Sequence, residues 1–498
     1  MLSRFTCRKQ LPAGFLTGLI AGATTGFTRL HPEWAPVQLP ALALLGWDLS
    51  REKGFWGGLR PGFWFGASLA GVALAKIRVD LASTAILFVA LTAYWTLLGA
   101  GLSFFLRKKS GAGIWAAAGL LTFGEWAQIY ILPLFGTAQR IAAAWVDSPP
   151  MRVVAGFGAT TAVTFVVALA ALGWGEWFDR ERRKQPRAPT LSGLKAAFPA
   201  GPVLTLILGL IVLQGAVVGI GGASRGEPGT VDVAVCGAAD GASAFLPPPL
   251  FDKKFGAMVA NAAAKGATIV VTPELALDVT PATRDATLAA LAAEAKRLGV
   301  VWVLGFGEGG RAQAGSLNRA VILNADKPVG TIYDKTHWVD FMEKYAVVGD
   351  AKPPVVETRG IRIGTMICQD DNFENVARHL SLGGAHLVGV PTWDWPGVAE
   401  AHLDSARNRP RESGFTEARA ALGGVSAVID PSGRILASRN HLTEGDGIAI
   451  ATVRTDAGGP TLFARFGDGP TLGIAGAGIL IGLLAGRTPG RKKDPVTL

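Results

Sequence analysis

Cysteine is almost missing from this chain. Its 498 residues hold three, Cys7, Cys236 and Cys368, and none stands at CxxC spacing. That excludes a disulfide framework and a thiolate zinc site. Six histidines (31, 337, 379, 386, 402 and 441) offer neither an HExxH pair nor cysteine–histidine ligand spacing, so no metal is expected. Charge is scarce as well. Charged residues make up 17% of the sequence, where a soluble protein carries about a quarter. The 48 basic against 38 acidic residues could suit a nucleic-acid partner. No binding module accompanies that excess, and the basic residues gather in short loops between apolar runs, so nucleic acid is set aside as a partner.

Long apolar runs are what the chain has in quantity. A hydrocarbon core of ~30 Å takes about 20 apolar residues as helix. Stretches 11–30, 35–48, 54–76, 81–106, 112–134, 151–175, 199–221 and 470–486 read as about eight spans, the second of them short. The basic start, Met1 to Lys9, leads into the first run without a convincing cleavage site, so that run reads as an uncleaved span. Trp34, Trp47, Trp56, Trp64, Trp95, Trp174 and Trp177 fall at or near proposed span ends, as interfacial anchors do. Every second loop is basic: Arg4, Arg8 and Lys9, then Arg51 and Lys53, then Arg107 to Lys109, then Arg180 to Arg187, then Arg487 to Lys493. That alternation puts both termini in the cytoplasm and the large segment before the last span on the opposite side.

That segment has another grammar. Short β-rich runs at 231–237, 268–273, 300–306, 318–323, 361–368, 386–391, 424–429 and 447–453 alternate with helical stretches at 251–265, 283–298 and 372–383. The alternation predicts an α/β domain with its sheet buried by helices. The organisation expected is therefore spans one to seven over 1–222, a linker over 223–229 and an α/β domain over 230–456. The remainder, 457–498, is a connecting segment, a last span and a basic tail. Gly305-Phe-Gly-Glu-Gly-Gly310 is followed by a strand rather than a helix, so it reads as a turn and not a phosphate loop.

Three strand-like runs end on reactive groups: Glu274 after Val271-Thr-Pro, Lys335 after Ile332-Tyr-Asp, and Cys368 after Ile361 to Ile367. Sites on α/β sheets gather at the carboxyl ends of strands. A thiol is mostly protonated at neutral pH and needs a base or a nearby cation to become nucleophilic. Glu274 could be that base if burial raises its pKa, and Lys335 could lower the thiol pKa and hold an oxyanion. The backbone N–H of Gln369 is a candidate second oxyanion donor. Cys7, in a basic stub, and Cys236, inside an apolar strand, read as inert.

These residues, with Tyr333 to Tyr345, Met366 to Phe373 and Gly424 to Arg434, resemble the nitrilase or carbon–nitrogen hydrolase superfamily. Together with the spans and the segment Thr461 to Pro470, the chain resembles the apolipoprotein N-acyltransferase family. The resemblance implies an αββα sandwich on an α-helical membrane bundle. It makes Glu274 the general base, Lys335 the cation that stabilises the intermediate and Cys368 the nucleophile. Glu343 takes the place of a second glutamate supporting the lysine, and Asp370 that of an acidic residue two positions past the cysteine. His402 and Arg409 fall in a helix whose role is structural. The chain departs from the family pattern at Asp340-Phe-Met-Glu343, at Gln369, at Thr272 and at Thr392-Trp-Asp-Trp-Pro396. Phe341, Met342, Trp393 and Trp395 make apolar loops that either pack or meet lipid and gate the acyl chain.

The implied reaction moves an acyl chain from a phospholipid to Cys368 and then to the amine of a diacylglyceryl-modified lipoprotein. No cofactor is required. The implied location is the bacterial inner membrane, with the catalytic domain facing the periplasm and the bilayer as a partner. Two other readings stand beside it: a membrane-tethered amidase using the same triad on a small amide, and a transporter or sensor with a vestigial domain. The spans hold isolated ionisable residues such as Glu125, but no dense polar track that would mark a transport pathway.

Overall fold

The computed structural model describes residues 13–52, 54–76, 81–131, 140–184, 229–310, 315–323, 331–339, 343, 347–350, 352–456 and 459–485. Six helices come first: Ala13–Leu30 (α1), Gln38–Leu49 (α2), Leu59–Lys76 (α3), Leu81–Leu106 (α4), Gly111–Ile131 (α5) and Pro149–Lys184 (α6). A terminal helix, Gly469–Leu484, packs against α5. Helices thus occupy seven of the eight apolar stretches, and 199–221 lies outside the described residues. Among the described residues two helices, Leu81–Leu106 and Pro149–Asp179, are long and apolar enough to cross a membrane. Among the described residues the eight full spans expected are thus not confirmed. At 12 residues, α2 rises only ~18 Å, well short of a hydrocarbon core.

The bundle is apolar inside and out. Leu42, Leu45, Phe65, Trp95, Leu102, Leu121, Phe165 and Leu172 form its centre. Leu81, Ile86, Val89, Leu97 and Leu480 face outward, where a water-exposed helix would carry charge. Trp34 and Trp56 are exposed as expected of anchors, but Trp95 is not. It is 2% exposed in the middle of α4, with its ring 4.7 Å from Phe65. Trp177 is likewise buried.

Thirteen strands follow, in two sheets. The first holds Thr230–Gly237 (β1), Ile269–Val271 (β2), Leu277–Val279 (β3), Val301–Glu308 (β4), Leu317–Leu323 (β5) and Ile332–Asp334 (β6). The second holds Val355–Thr358 (β7), Ile361–Thr365 (β8), Leu387–Trp393 (β9), Thr416–Leu422 (β10), Val425–Ile429 (β11) and Ile435–Asn440 (β12). Gly447–Arg454 (β13) returns to the first sheet, antiparallel to β1. Their orders are β13-β1-β2-β4-β5-β6, with β3 on β4, and β12-β11-β10-β9-β8-β7. Val233, Val235, Ile269, Val301 and Val303 of one sheet meet Ile363, Leu387, Ala418, Ala420 and Val428 of the other in a dry core. Helices cover both outer faces, giving the helix–sheet–sheet–helix layering. Ala257–Ala264 (α7) and Arg284–Leu298 (α8) lie on the first sheet, while Glu374–Leu382 (α9), Ala399–Ala406 (α10) and Asn408–Ser413 (α11) lie on the second.

The Gly-rich run 305–310 differs from its reading as a turn. Gly305 to Glu308 belong to β4, and only Gly309 and Gly310, with φ of 98° and 83°, turn the chain.

The sandwich is fixed to the bundle through α6. That helix breaks at Gly158–Ala159, where Ala159 has φ 55°. The Thr160 N–H freed by the break donates to Glu412 Oε1 of α11 at 3.0 Å. A carboxylate suits the positive end of the resumed helix. Arg140, 2% exposed, pairs with Glu374 of α9 at 3.1 Å, and Arg411 Nη1 donates to the Val146 carbonyl at 2.9 Å.

Candidate active site

Glu274 follows β2, Lys335 follows β6 and Cys368 follows β8, and all three are buried. Two of these turns are strained: Cys368 has φ 44° and Leu275, next to Glu274, has φ 52°. Non-glycine residues in this region cost roughly 1–3 kcal/mol and persist only where packing holds them. At Glu274 the packing is visible. A Cβ on Gly305 of β4 would meet the Pro273 carbonyl at 2.4 Å and Glu274 Cα at 2.9 Å, so only glycine lets that strand run beneath the glutamate.

Lys335 Nζ is the hub. It donates to Glu274 Oε1 at 2.7 Å and to Glu343 Oε1 and Oε2 at 2.9 and 2.7 Å. Asn318 Nδ2 bridges the same carboxylates at 2.7 and 2.9 Å, and Val339 N–H donates to Glu343 at 2.8 Å. Glu343 is thus drawn onto the lysine instead of lying in a solvated loop. Burial opposes the Lys335 ammonium, but Glu274 and Glu343 outweigh it and hold the group protonated well above its usual range. Burial pushes the Glu274 carboxyl up, against the pull of Lys335. Burial also works against ionised Glu343, yet Lys335 more than offsets it and keeps that carboxyl low.

The thiol corrects one expectation. Lys335 does pull the Cys368 pKa down, but burial and the neighbouring Glu274 carboxylate raise it well above the ordinary value. The resting sulfur is therefore a neutral thiol, with its S–H 3.6 Å from the Trp393 carbonyl. The Glu274 carboxyl, whose own proton affinity is raised, lies close enough to act on the thiol through its charge. This combination suits transfer of the proton during attack rather than before it. Cys236, fully buried on β1, is pushed up to about 12 by burial alone and has no such base.

Cys368 opens a short 3-10 turn, Cys368–Asn372. Gln369, second in that turn, is buried, and its side-chain oxygen accepts from Asn372 at 2.9 Å. Asp370 is fully buried and accepts from Ile367 N–H at 3.1 Å, from His337 N–H at 2.7 Å, from Thr336 N–H at 3.2 Å and from the Tyr333 hydroxyl at 2.9 Å. It ties the cysteine turn to the segment carrying Lys335, which is a positioning role. Trp393 meets the thiol through its carbonyl, while its ring packs edge-on to Phe245 at 6.2 Å. Trp395 is half-buried on the cavity wall. Phe341 and Met342 lie outside the described residues.

A second polar cluster beside the thiol escaped the sequence reading. Arg419 Nη2 of β10 donates to both oxygens of Asp394, at 3.1 and 3.0 Å, and its Nη1 reaches Asp371 at 3.3 Å. His402 Nδ1 of α10 lies 2.7 Å from Asp394 Oδ1. Burial would raise the Asp394 carboxyl, but Arg419 and His402 hold it below the usual range. A nitrogen of His402, an oxygen of Asp394 and Cys368 Sγ lie within 4.8 Å of one another, the spacing of a possible metal trio. The Arg419 guanidinium, bonded to both Asp394 oxygens, puts a fixed cation where a metal would need that carboxylate free. Arg409 of α11 is buried and pairs with Glu412 of the same helix at 2.7 Å.

Cys368 and the neighbouring Asp394 and His402 open on a cavity of about 100 Å³. Cys368, Gln369, Trp393, Trp395 and His402 line it from the sandwich, and Leu30, Leu69, Leu74 and Leu91 line it from α1, α3 and α4. With Glu274 as the proposed base, active only when ionised, acylation of Cys368 is expected to rise with pH. Its apparent pKa should lie above the ordinary carboxylate range. Glu274→Gln should erase that limb and slow acylation about 10²-fold, the usual contribution of a general base. Time courses by intact mass between about pH 5 and 8 test this; a limb that survives in the variant would rule Glu274 out.

Residues 233–461 match the carbon–nitrogen hydrolase family model. The chain is 24% identical to an apolipoprotein N-acyltransferase of Bradyrhizobium diazoefficiens, covering 94% of each protein. It is 29% identical to an apolipoprotein N-acyltransferase of Rhodopseudomonas palustris over 36% of this chain and 38% of that one. Among solved structures, an amidase from Nesterenkonia sp. covers 46% of this chain and 91% of its own, at 24% identity and a TM-score of 0.37.

Proposed function

From a chain that carries a carbon–nitrogen hydrolase domain and is similar along 94% of its length to apolipoprotein N-acyltransferases, we propose that it transfers an acyl chain from phospholipid to a lipoprotein. The acceptor is the N-terminal amine of a diacylglyceryl-modified cysteine. One observation carries the reading: the cavity that holds the Cys368 thiol is walled on its far side by leucines of the apolar helices. A hydrolase of small soluble amides has no need of such a wall, whereas an acyl chain entering from a bilayer does.

In the first half-reaction Glu274 takes the thiol proton as Sγ attacks the ester carbonyl carbon. Lys335 and the Gln369 N–H hold the resulting oxyanion. The C–O bond breaks, Glu274 returns the proton to the departing glyceryl oxygen, and a thioester and a lysophospholipid result. In the second, the amine attacks the thioester, the C–S bond breaks and the thiol regains a proton. Glu343 keeps Lys335 charged and in place throughout. Both substrates are held in lipid, so confinement to one surface supplies effective concentration in place of aqueous encounter. The alternating basic loops favour the inner membrane, both termini in the cytoplasm and the domain over 230–456 facing the periplasm.

Incubation with phospholipid should add the mass of one acyl group, removable by hydroxylamine. Leu91→Trp, which enlarges a side chain on the helical wall of the cavity, should slow acylation by long-chain donors about 10-fold to 100-fold and leave short-chain donors little affected. Absence of any adduct from accessible lipid, or equal slowing at every chain length, would overturn the proposal.

A further inference from the structure

We propose that His402 accepts the proton of the incoming amine in the second half-reaction, an inference that rests on the acyl-transfer reading above. The two half-reactions make different demands. The first begins from a neutral thiol, which Glu274 serves. The second begins from an α-amine with a pKa of ~7.7–8.0, most of it an ammonium at neutral pH and unable to attack. Glu274 is already bonded to Lys335 and Asn318, and an ammonium approaching it would face the buried Lys335 cation.

His402 has the complementary placement. It reaches the thiol from α10, on the second sheet, whereas Glu274 comes from the first. The residue is 8% exposed and lines the cavity that holds Cys368. Its Nε2 is buried and has no hydrogen-bond partner. Its Nδ1 lies 2.7 Å from Asp394 Oδ1 and equally close to Arg419 Nη2. The ionised carboxylate is the stronger partner for Nδ1–H, and that tautomer leaves the Nε2 lone pair without a partner among the described residues. The charged and titratable groups around the ring are Asp394 just after β9, Arg419 from β10, and Asp371 and Cys368 from the cysteine turn. Arg29 of α1 lines the cavity on its bundle side. Asp394 and Arg419 hold the ring in orientation from its Nδ1 side.

The step then balances. The ammonium gives one proton to Nε2, which releases it to water at the cavity mouth. The neutral amine forms the C–N bond at the thioester carbon, and Lys335 holds the oxyanion. The second N–H proton passes to Glu274 and from there to Cys368 Sγ as the C–S bond breaks. Amide, free thiol and one released proton are the products.

The test compares two nucleophiles on the same pre-formed acyl-enzyme of the full chain. One is a diacylglyceryl-cysteine peptide, protonated at neutral pH; the other is hydroxylamine, a weak base that is not. In His402→Gln the ratio of peptide to hydroxylamine rates should fall about 10²-fold near neutral pH and recover as pH rises past the amine pKa. An unchanged ratio, or an equal loss with both nucleophiles, would assign His402 to packing and overturn the inference. If His402→Gln forms no acyl-enzyme, His402→Asn is put through the same comparison. Failure of both to acylate overturns it too, whereas failure of the unmodified protein to acylate would instead defeat the acyl-transfer reading.

Discussion

Cys368→Ala is expected to abolish acylation by phospholipid to the detection limit, a loss of at least about 10⁴-fold, with little change in stability. Attack needs the sulfur itself, and the other described thiol, Cys236, is fully buried on β1 with its pKa pushed up to about 12. Alanine accepts the φ of 44° no worse than cysteine does, and the group removed is one small atom held by a 3.6 Å contact to the Trp393 carbonyl. Cys368→Ser keeps the geometry but offers a far weaker nucleophile, so it should fall close to the alanine variant. Intact mass with thermal unfolding checks both halves. An acyl adduct of undiminished yield on Cys368→Ala would remove the sulfur from the chemistry.

Lys335→Met should cost both function and stability. The Nζ ammonium makes three bonds of 2.9 Å or less to two carboxylates, Glu274 and Glu343, in a pocket where it is 4% exposed. Removing it leaves those carboxylates without a counter-charge, a change that typically costs about 3–5 kcal/mol. It also removes the proposed oxyanion partner, a contribution of roughly 10²- to 10³-fold in rate. The stability loss has a sign in pH. Without the lysine, the folded-state carboxyl pKa values rise above their unfolded ones. Protonation then relieves the penalty at low pH, and the penalty grows as pH climbs through the raised values. The deficit against the unmodified protein should be small near about pH 5 and full near about pH 8. An equal deficit at both would mean that the lysine contributes packing rather than charge.

The positions of Glu274, Lys335 and Cys368 were legible because each follows a strand-like run, and strand ends are local features. The cluster of Asp371, Asp394, His402 and Arg419 was not, because it assembles from β9, β10, α10 and a turn only when the second sheet is formed. Its strand β10, Thr-Glu-Ala-Arg-Ala-Ala-Leu, is rich in alanine and charge, which argues against a strand by propensity. Burial of all seven residues, with Arg419 paired to Asp371 and Asp394, overrides that propensity. Burial of Trp95 was hidden for a related reason: helix periodicity shows which face is apolar, but not whether that face meets lipid or Phe65.

The break in α6 has a bearing on engineering. Because Glu412 closes the interrupted helix and Glu374 neutralises Arg140, the boundary near residue 230 that looks like a seam in the primary structure is not one energetically. Burial pushes the Glu412 carboxyl up to about 7 even with Arg409 beside it, so detaching the sandwich would strand polar groups on both fragments. A chimera that swaps this catalytic unit for a cousin's would have to bring the stretch 140–184 along with it, or inherit two surfaces that no longer recognise each other.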